Sequence, residues 1–410
     1  MILYLITQCQ LGADMACTQG ADFYHSMEQH RMLLLQSLSI REDQSPQSST
    51  NVQEAITSPQ VLEAIEKIIQ EVVESLCKNQ APVLTFDDRS TWGNIEFNEQ
   101  VGLQMVKHRT TRKVKSDNPR SAQKFALIIK ILSVIYKLVQ CNNYATKRDI
   151  YYTDVQLYGN QTVVDNIIND VSCMLRIPRI SLHILSTSKG CVAGALMFME
   201  EDGTRVDCSR SSTGILVPSN IEGIRNMYSQ AKFVLIIEKD ATFQRLLDDD
   251  FCNTVGPGIL ITGKGVPDLN TRLLIRKLWD RFHIPIFTLV DADPHGIEIM
   301  CIYKYGSLSM SFEAHQLTVP SISWLGLLPS DLERLHVHSE SLIPLTAMDQ
   351  RKLSSLQRRP YINSQPLWKK EMEIMAARQM KAEIQALTSL SPNYLTRVYL
   401  PNKLQYGGWI

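Results

Sequence analysis

Val61, Leu62, Ile65, Ile68, Ile69, Val72, Val73 and Leu76 recur at spacings of three and four, which places them on one face of a helix. Ser58 and Pro59 mark its start, since serine caps helices well and proline suits the first helical position. This helix either packs on its own domain or docks a partner protein. The second reading is open because the stripe stands alone after a polar stretch. Residues 1–57 read as a disordered N-terminal tail, most clearly in the run from Asp43 to Thr50, which has turn formers and no period.

A strongly apolar helix is predicted from Ser121 to about Gln140, followed by a turn at Asn142 and Asn143. A second helix covers Thr146 to Gln156, and Gly159 and Asn160 make another turn. A third helix runs from Gln161 to Leu175 with Val163, Val164, Ile167, Ile168, Val171 and Leu175 inward. Ser181–Ser186 and Val192–Met199 read as two strands around Lys189 and Gly190. Three helices and a hairpin are the winged form of helix-turn-helix, whose third helix enters the DNA major groove.

The pattern then changes. Buried strands at Phe233–Ile237, Ile259–Thr262 and Ile286–Val290 alternate with helices from about Ala241, from Leu269 to Phe282 and from Gly296. Such alternation implies an α/β domain with a mostly parallel sheet and right-handed crossovers. Residues near 345–390 read as helical again, including an amphipathic stretch from Trp368 to Leu387. The expected organisation is a tail over 1–57, a docking helix and linker over 58–100, a winged-helix domain over 101–225, a sheet domain over 226–345 and a helical C-terminal part over 346–410.

Composition narrows the function classes. Of 410 residues, 44% are hydrophobic and 20% charged, which excludes global disorder. Lysine plus arginine equals aspartate plus glutamate at 42 each, so a uniformly basic coat is excluded and a local patch is not. That patch is found between residues 107 and 124, where Lys107, Arg109, Arg112, Lys113, Lys115, Arg120 and Lys124 face a single acid, Asp117. It is either a solvated surface or a contact to the DNA backbone. The nine cysteines form no C-x-x-C pair, which fits a reducing compartment better than a disulfide framework. No apolar run is long enough to span a membrane, and Met1–Ile6 lacks the basic flank of a signal peptide.

The chemistry sits at strand ends. Glu238 follows one predicted strand, and Asp291 and Asp293 follow another. Ligands of open α/β sheets bind at the carboxyl ends of strands, so these three acids converge on one edge. Their mutual repulsion is relieved by a hard cation, and Mg2+ prefers such oxygen ligands. Lys264 lies in a turn just after a strand and is either a phosphate contact or a solvated lysine. Gly258–Lys264 imitates a phosphate loop, but residue 265 is glycine and the intervening residues form a strand, so ATP binding is not supported. Asp240 reads as a helix-capping acid, and His295 as a helix-start histidine.

Tyr151 and Tyr152 fall on the second helix of the winged-helix region. Tyr151 shares an apolar face with Val155 and Tyr158, whereas Tyr152 shares a polar face with Arg148 and Gln156. Tyr152 is therefore the outward tyrosine. A tyrosine hydroxyl can attack a phosphodiester and form a covalent protein–DNA bond, helped by a nearby guanidinium and a metal.

Four motifs occur in order: Lys147-Arg148-Asp149-Ile150-Tyr151-Tyr152, Val234-Leu235-Ile236-Ile237-Glu238-Lys239-Asp240, Thr262-Gly263-Lys264-Gly265-Val266-Pro267-Asp268 and Asp291-Ala292-Asp293-Pro294-His295-Gly296. Together they closely resemble the meiotic double-strand-break proteins related to the topoisomerase VI A-type subunit (the Spo-eleven family), over roughly residues 58–410. The resemblance implies a winged-helix domain followed by a Rossmann-like toprim domain with a helical C-terminal extension. It implies Tyr152 as nucleophile beside Arg148, and Glu238, Asp291 and Asp293 as Mg2+ ligands. Lys264, Arg112 and Lys113 are the expected DNA contacts. The implied reaction joins Tyr152 to a 5′ phosphate and releases a 3′ hydroxyl. The implied setting is the nucleus, on meiotic chromosomes. Double-stranded DNA, a topoisomerase VI B-like protein and a second copy of the chain are the implied partners, each site combining one copy's tyrosine with the other's metal. Residues 1 to about 50 do not resemble the family's expected N-terminus. A non-catalytic DNA-binding scaffold and a complete strand-passing topoisomerase remain the alternatives.

Overall fold

The computed structural model describes residues 23–44, 56–106 and 109–410. Met1–Ile6, the polar run from Ser45 to Thr50, and Lys107 lie outside the described residues.

Helix α1, His25–Gln44, runs against the expectation of a disordered tail. Its apolar residues do not gather into one stripe, so its place is set by distant contacts. The Met27 side chain, 2% exposed, enters the core under the sheet. Leu34 and Leu38 pack on the opposite core, while Met32 and Leu33 stay exposed. Tyr24 Oη donates to the Val255 carbonyl at 2.9 Å, Ser26 Oγ to the Gln405 carbonyl at 2.8 Å and Arg31 Nε to the His283 carbonyl at 3.1 Å. Met27→Ala is expected to cost about 2–4 kcal/mol in urea unfolding, against about 0.5 kcal/mol or less for Met32→Ala. Equal losses would mean that α1 is not docked as described.

Helix α2, Ser58–Cys77, starts where the Ser-Pro signal places it, although Thr57 is the cap and Gln60 closes the capping box. Val61 and Ile65 are buried, whereas Val73 and Leu76 are exposed. The helix thus packs by its first half and leaves an apolar end uncovered. Strand β1, Val83–Asp87, pairs antiparallel with β2, Thr111–Lys115, and turns Leu84, Phe86 and Val114 inward. These elements share one core with α3, Ala122–Gln140, α4, Lys147–Thr153, and α5, Gln161–Leu175. The helix expected over 146–156 breaks at Asp154, whose side chain caps a separate turn, Val155–Tyr158. Gln156 therefore does not continue the face of Arg148 and Tyr152, and Val155 is exposed rather than inward.

The hairpin expected around Lys189 and Gly190 does not form. Ile184–Leu185 instead pairs in parallel with Ala145–Thr146. Strand β3, Cys191–Gly194, leaves the helical unit and joins the central sheet. The apolar run reads as one strand but is split at Gly194, where φ is +98° and an added Cβ would meet the Gly258 carbonyl oxygen at 2.3 Å. Leu196–Met199 then belongs to a separate three-stranded sheet.

The central sheet is built from β4, Phe233–Ile237, β5, Gly258–Thr262, β6, Ile286–Leu289, and β7, Ser323–Gly326. Between them run helices α6, Asp240–Asp248, α7, Leu269–Phe282, and α8, Pro294–Tyr305. The spatial order is Ile215–Leu216, β3, β5, β4, β6, β7, with the last four parallel. Every residue of β4, β5 and β6 is buried, because helices cover both faces. From β4 the chain passes to β5 on one side, and from β6 to β7 on the other. The carboxyl ends of β4 and β6 therefore flank the crevice where connections diverge.

The stretch from Trp368 to Leu387 is not one helix. Helix Pro366–Arg378 ends at Gln379, with φ +55°, and Met380–Lys381 pairs with Ile343–Pro344. This turn brings residues 382–384 against the loop after β6. No described helix is long and apolar enough to cross a membrane.

Candidate metal centre and nucleophile

Glu238 is the first residue beyond β4, and Asp291 lies just beyond β6. Both are buried, at 9% and 4% exposure. Glu238 Oε2 accepts the Asp291 backbone N–H at 2.8 Å. Asp291 Oδ1 accepts the Ile384 N–H at 2.9 Å, and its Oδ2 lies 2.8 Å from Lys239 Nζ. Asp293 caps α8, accepting the Gly296 N–H at 2.6 Å. The sequence-predicted acids are thus held at one edge by backbone groups of three segments.

Their electrostatics show why a cation suits them. Burial first, then the neighbouring Asp291 and Asp293 charges, push the Glu238 carboxyl up to about 7. Burial also raises Asp291, although Lys239 and the Ile384 N–H oppose it. Lys239 shows the converse. Burial pulls its ammonium down, but Asp291 and Glu383 hold it above the usual lysine range. Among the described residues no three acidic, histidine or cysteine side chains already stand close enough together to hold a metal ion, and Lys239 supplies the countercharge. The donor set still fits a hard divalent cation, being oxygen-only, crowded and disfavoured while fully charged.

Gly296 lets the two strand ends approach. A Cβ there would meet the Asp291 carbonyl oxygen at 2.7 Å, Glu238 Oε2 at 2.9 Å and the Asp291 nitrogen at 3.0 Å. Gly296→Ala is therefore expected to displace Glu238 from Asp291 and to lower the melting temperature by several degrees. An unchanged melting temperature in that variant would show that the close approach is unnecessary.

The loop after β5 abuts the same edge. Gly265 N donates to the Glu238 carbonyl at 2.8 Å. Lys264 adopts φ +52° and pairs with Asp240 at 3.2 Å. Asp240 is the first helical residue rather than the cap, which is Lys239. His295 turns away to Asp349, at 3.7 Å.

Tyr152 and Arg148 lie on α4, and both are exposed, Tyr152 at 66%. The Tyr151 ring packs against the helical core, and its hydroxyl makes only a long 3.5 Å contact to the Gly159 carbonyl. The outward tyrosine is therefore Tyr152. Among the described residues no hydrogen bond or ion pair joins Tyr152 or Arg148 to the three acids. The predicted site residues fall into two groups on two units of the chain.

In the basic run, Arg109 pairs with Asp87 at 2.6 Å, Arg112 with Asp88 at 3.0 Å and Lys124 with Asp170 at 2.7 Å. Lys113 is exposed on β2 and has no ion pair among the described residues. Sequence reasoning missed Lys239, Glu383 and the Ile384 N–H. Lys239 stood inside a quoted motif, whereas Glu383 carried no local signal.

Residues 233–404 match the family model for the Toprim domain of Spo11 and the topoisomerase 6 A-type subunit. Residues 123–184 match one described as type IIB DNA topoisomerase. Over 390 residues the chain is 67% identical to the meiotic recombination protein SPO11 of Homo sapiens, covering 95% of this chain and 98% of that protein. Its identity to the Mus musculus protein of the same name is 62% over 390 residues, with the same coverage. The A-type subunit of Arabidopsis thaliana DNA topoisomerase 6 is 36% identical over 347 residues, covering 84% of this chain and 80% of that protein. A match over 95% of the chain reaches into residues 1–50, which were not expected to resemble the family's N-terminus.

Proposed function

The chain belongs to the family of Spo11 and the topoisomerase 6 A-type subunit, and on that premise we propose that it makes meiotic DNA double-strand breaks by topoisomerase-like transesterification. Tyr152 Oη attacks a DNA phosphorus, the bond to the 3′ oxygen breaks, and the products are a 5′-phosphotyrosyl link and a free 3′ hydroxyl. The observation that carries this reading is the meeting of Glu238 and Asp291 at the adjoining ends of β4 and β6, in a chain that also presents an exposed tyrosine.

Glu238, Asp291 and Asp293 would hold Mg2+, which when bound supplies positive charge to the phosphate oxygens and the leaving 3′ oxygen. Arg148, one helical turn before Tyr152, adds a fixed charge beside the attacking oxygen. Tyr152 and the acids are carried by separate units and share no bond. This supports a dimer in which each site combines the tyrosine of one copy with the carboxylates of the other. We read α3, α4 and α5 as a winged-helix domain with α5 toward the DNA groove and the β1–β2 pair in place of the missing hairpin. Lys113 and Arg112 on β2, and Lys264 beside the acids, are assigned to the DNA backbone. The exposed apolar end of α2 suits a B-type partner protein. The setting is the nucleus, on meiotic chromosomes.

The test is recovery of the tagged protein from meiotic cells under denaturing conditions, followed by labelling of attached DNA 3′ ends with terminal transferase. Labelled protein is expected. Its absence, with the protein present on chromatin, would favour the non-catalytic scaffold. Relaxation of supercoiled DNA with a B-type partner and ATP would instead mark a strand-passing topoisomerase.

A further inference from the structure

The ammonium of Lys239 stands 2.8 Å from Asp291 Oδ2, 3.1 Å from Glu383 Oε2 and 3.4 Å from Gln385 Oε1. Its three donors thus face three acceptors. Two of these come from the C-terminal segment, which is fastened beside the site by main-chain hydrogen bonds between Ala292 and Ala382 of 2.9 and 3.1 Å. The nearby cation Lys264 is paired with Asp240. Among the described residues, Lys239 is therefore the only side-chain cation paired with any of the three strand-end acids.

The two carboxylates that share Lys239 differ in one respect. Asp291 is buried, and its Oδ1 is fixed by the Ile384 N–H, so an uncompensated charge on it is costly. The Glu383 side chain is 55% exposed and is solvated with or without a partner. A merely structural ion pair has no use for the second carboxylate. An ammonium that must release Asp291 does, because it needs another anion within reach.

From this geometry we propose that Lys239 is a positioning residue, the exchangeable counter-ion of Asp291, and that Glu383 is the seat to which its ammonium withdraws when a divalent cation takes the carboxylates. The inference rests on the metal-dependent reading above. Lys239 holds the buried acid in place beforehand and competes with the incoming cation. Glu383 weakens that competition by drawing the ammonium aside.

The test is the melting temperature of the full chain against MgCl2 concentration, which reports cation binding without reference to cleavage. Lys239→Gln keeps an N–H donor for Asp291 and removes the charge. It is expected to lower the half-saturating Mg2+ concentration about tenfold, as befits one charge a few ångströms from the site. Glu383→Gln, at an exposed position, is expected to raise it by about fivefold or more. The double variant decides how Glu383 acts, because its effect must vanish once Lys239 is uncharged. A Glu383→Gln shift that persists in the Lys239→Gln background would overturn the proposal, showing that Glu383 acts on the cation directly. So would a Lys239→Gln midpoint equal to or above that of wild type. A wild-type protein that gains no stability from Mg2+ would overturn the metal reading and this inference with it. If Lys239→Gln does not fold, a Glu383→Gln midpoint equal to wild type overturns the proposal by itself.

Discussion

Tyr152→Phe is expected to remove protein-linked DNA label to background, about a thousandfold or more below wild type, because without the phenolic oxygen no phosphotyrosyl bond forms. Tyr151→Phe, one residue away, is expected to keep most of the label. The contrast follows from geometry. Tyr152 presents its ring to solvent at 66% exposure, whereas the Tyr151 ring is half-buried against the core of the helical unit. The Tyr151 hydroxyl makes only a 3.5 Å contact to the Gly159 carbonyl, so its loss costs about 1 kcal/mol or less. The two rings lie 5.3 Å apart, so a general disturbance of the helix would strike both variants alike. Label that survives in Tyr152→Phe and disappears in Tyr151→Phe would reverse the assignment.

Glu238→Gln is expected to abolish cleavage while stabilising the metal-free protein at neutral and alkaline pH. Glu238 ionises at about 7 in the folded chain against an ordinary value of 4.5, chiefly through burial and then through Asp291. A raised carboxyl binds its proton more tightly in the folded state. Below about pH 4.5 both states are protonated and the group has no effect. As pH rises from 4.5 to about 7, the unfolded chain ionises first and stability falls. Above 7 the loss is complete, on the order of 3 kcal/mol for a shift of this size. Asp291, also raised, adds loss of the same sign. The glutamine amide oxygen can still accept the Asp291 N–H, so the variant keeps the bond and loses the charge. Urea unfolding from pH 4 to 9 without divalent ions should give a falling curve for wild type and a flatter one for Glu238→Gln. Mg2+ should restore more stability to wild type than to the variant. Parallel curves would show that Glu238 is ionised at no cost, and would remove the electrostatic argument for a cation.

The amino-acid sequence by itself determined those features written in local periodicity. Strands β4, β5 and β6 are continuous apolar runs because helices bury them on both faces, and such runs are visible without any partner. Glu238 and Asp291 lie just beyond strand ends, so the approach of these two acids was legible once the alternation of strands and helices was read. The spacing of four from Arg148 to Tyr152 was legible as one outward helical face, whereas the inward face assigned to Tyr151 relied on Val155, which the break at Asp154 leaves exposed. Only the tertiary structure decided what depends on pairing between distant segments. Helix α1 lacks an apolar stripe, and its partners lie 252 to 379 residues away. Val192–Met199 was legible as one strand, but the close approach of Gly194 to the Gly258 carbonyl splits it and places Cys191–Gly194 beside β5. Glu383 reached Lys239, and the Ile384 N–H reached Asp291, only because the helix before them ends at Gln379 and the chain turns back. Period fixes the type of an element and the face it buries, whereas the choice of neighbour is a packing decision taken by the whole domain at once.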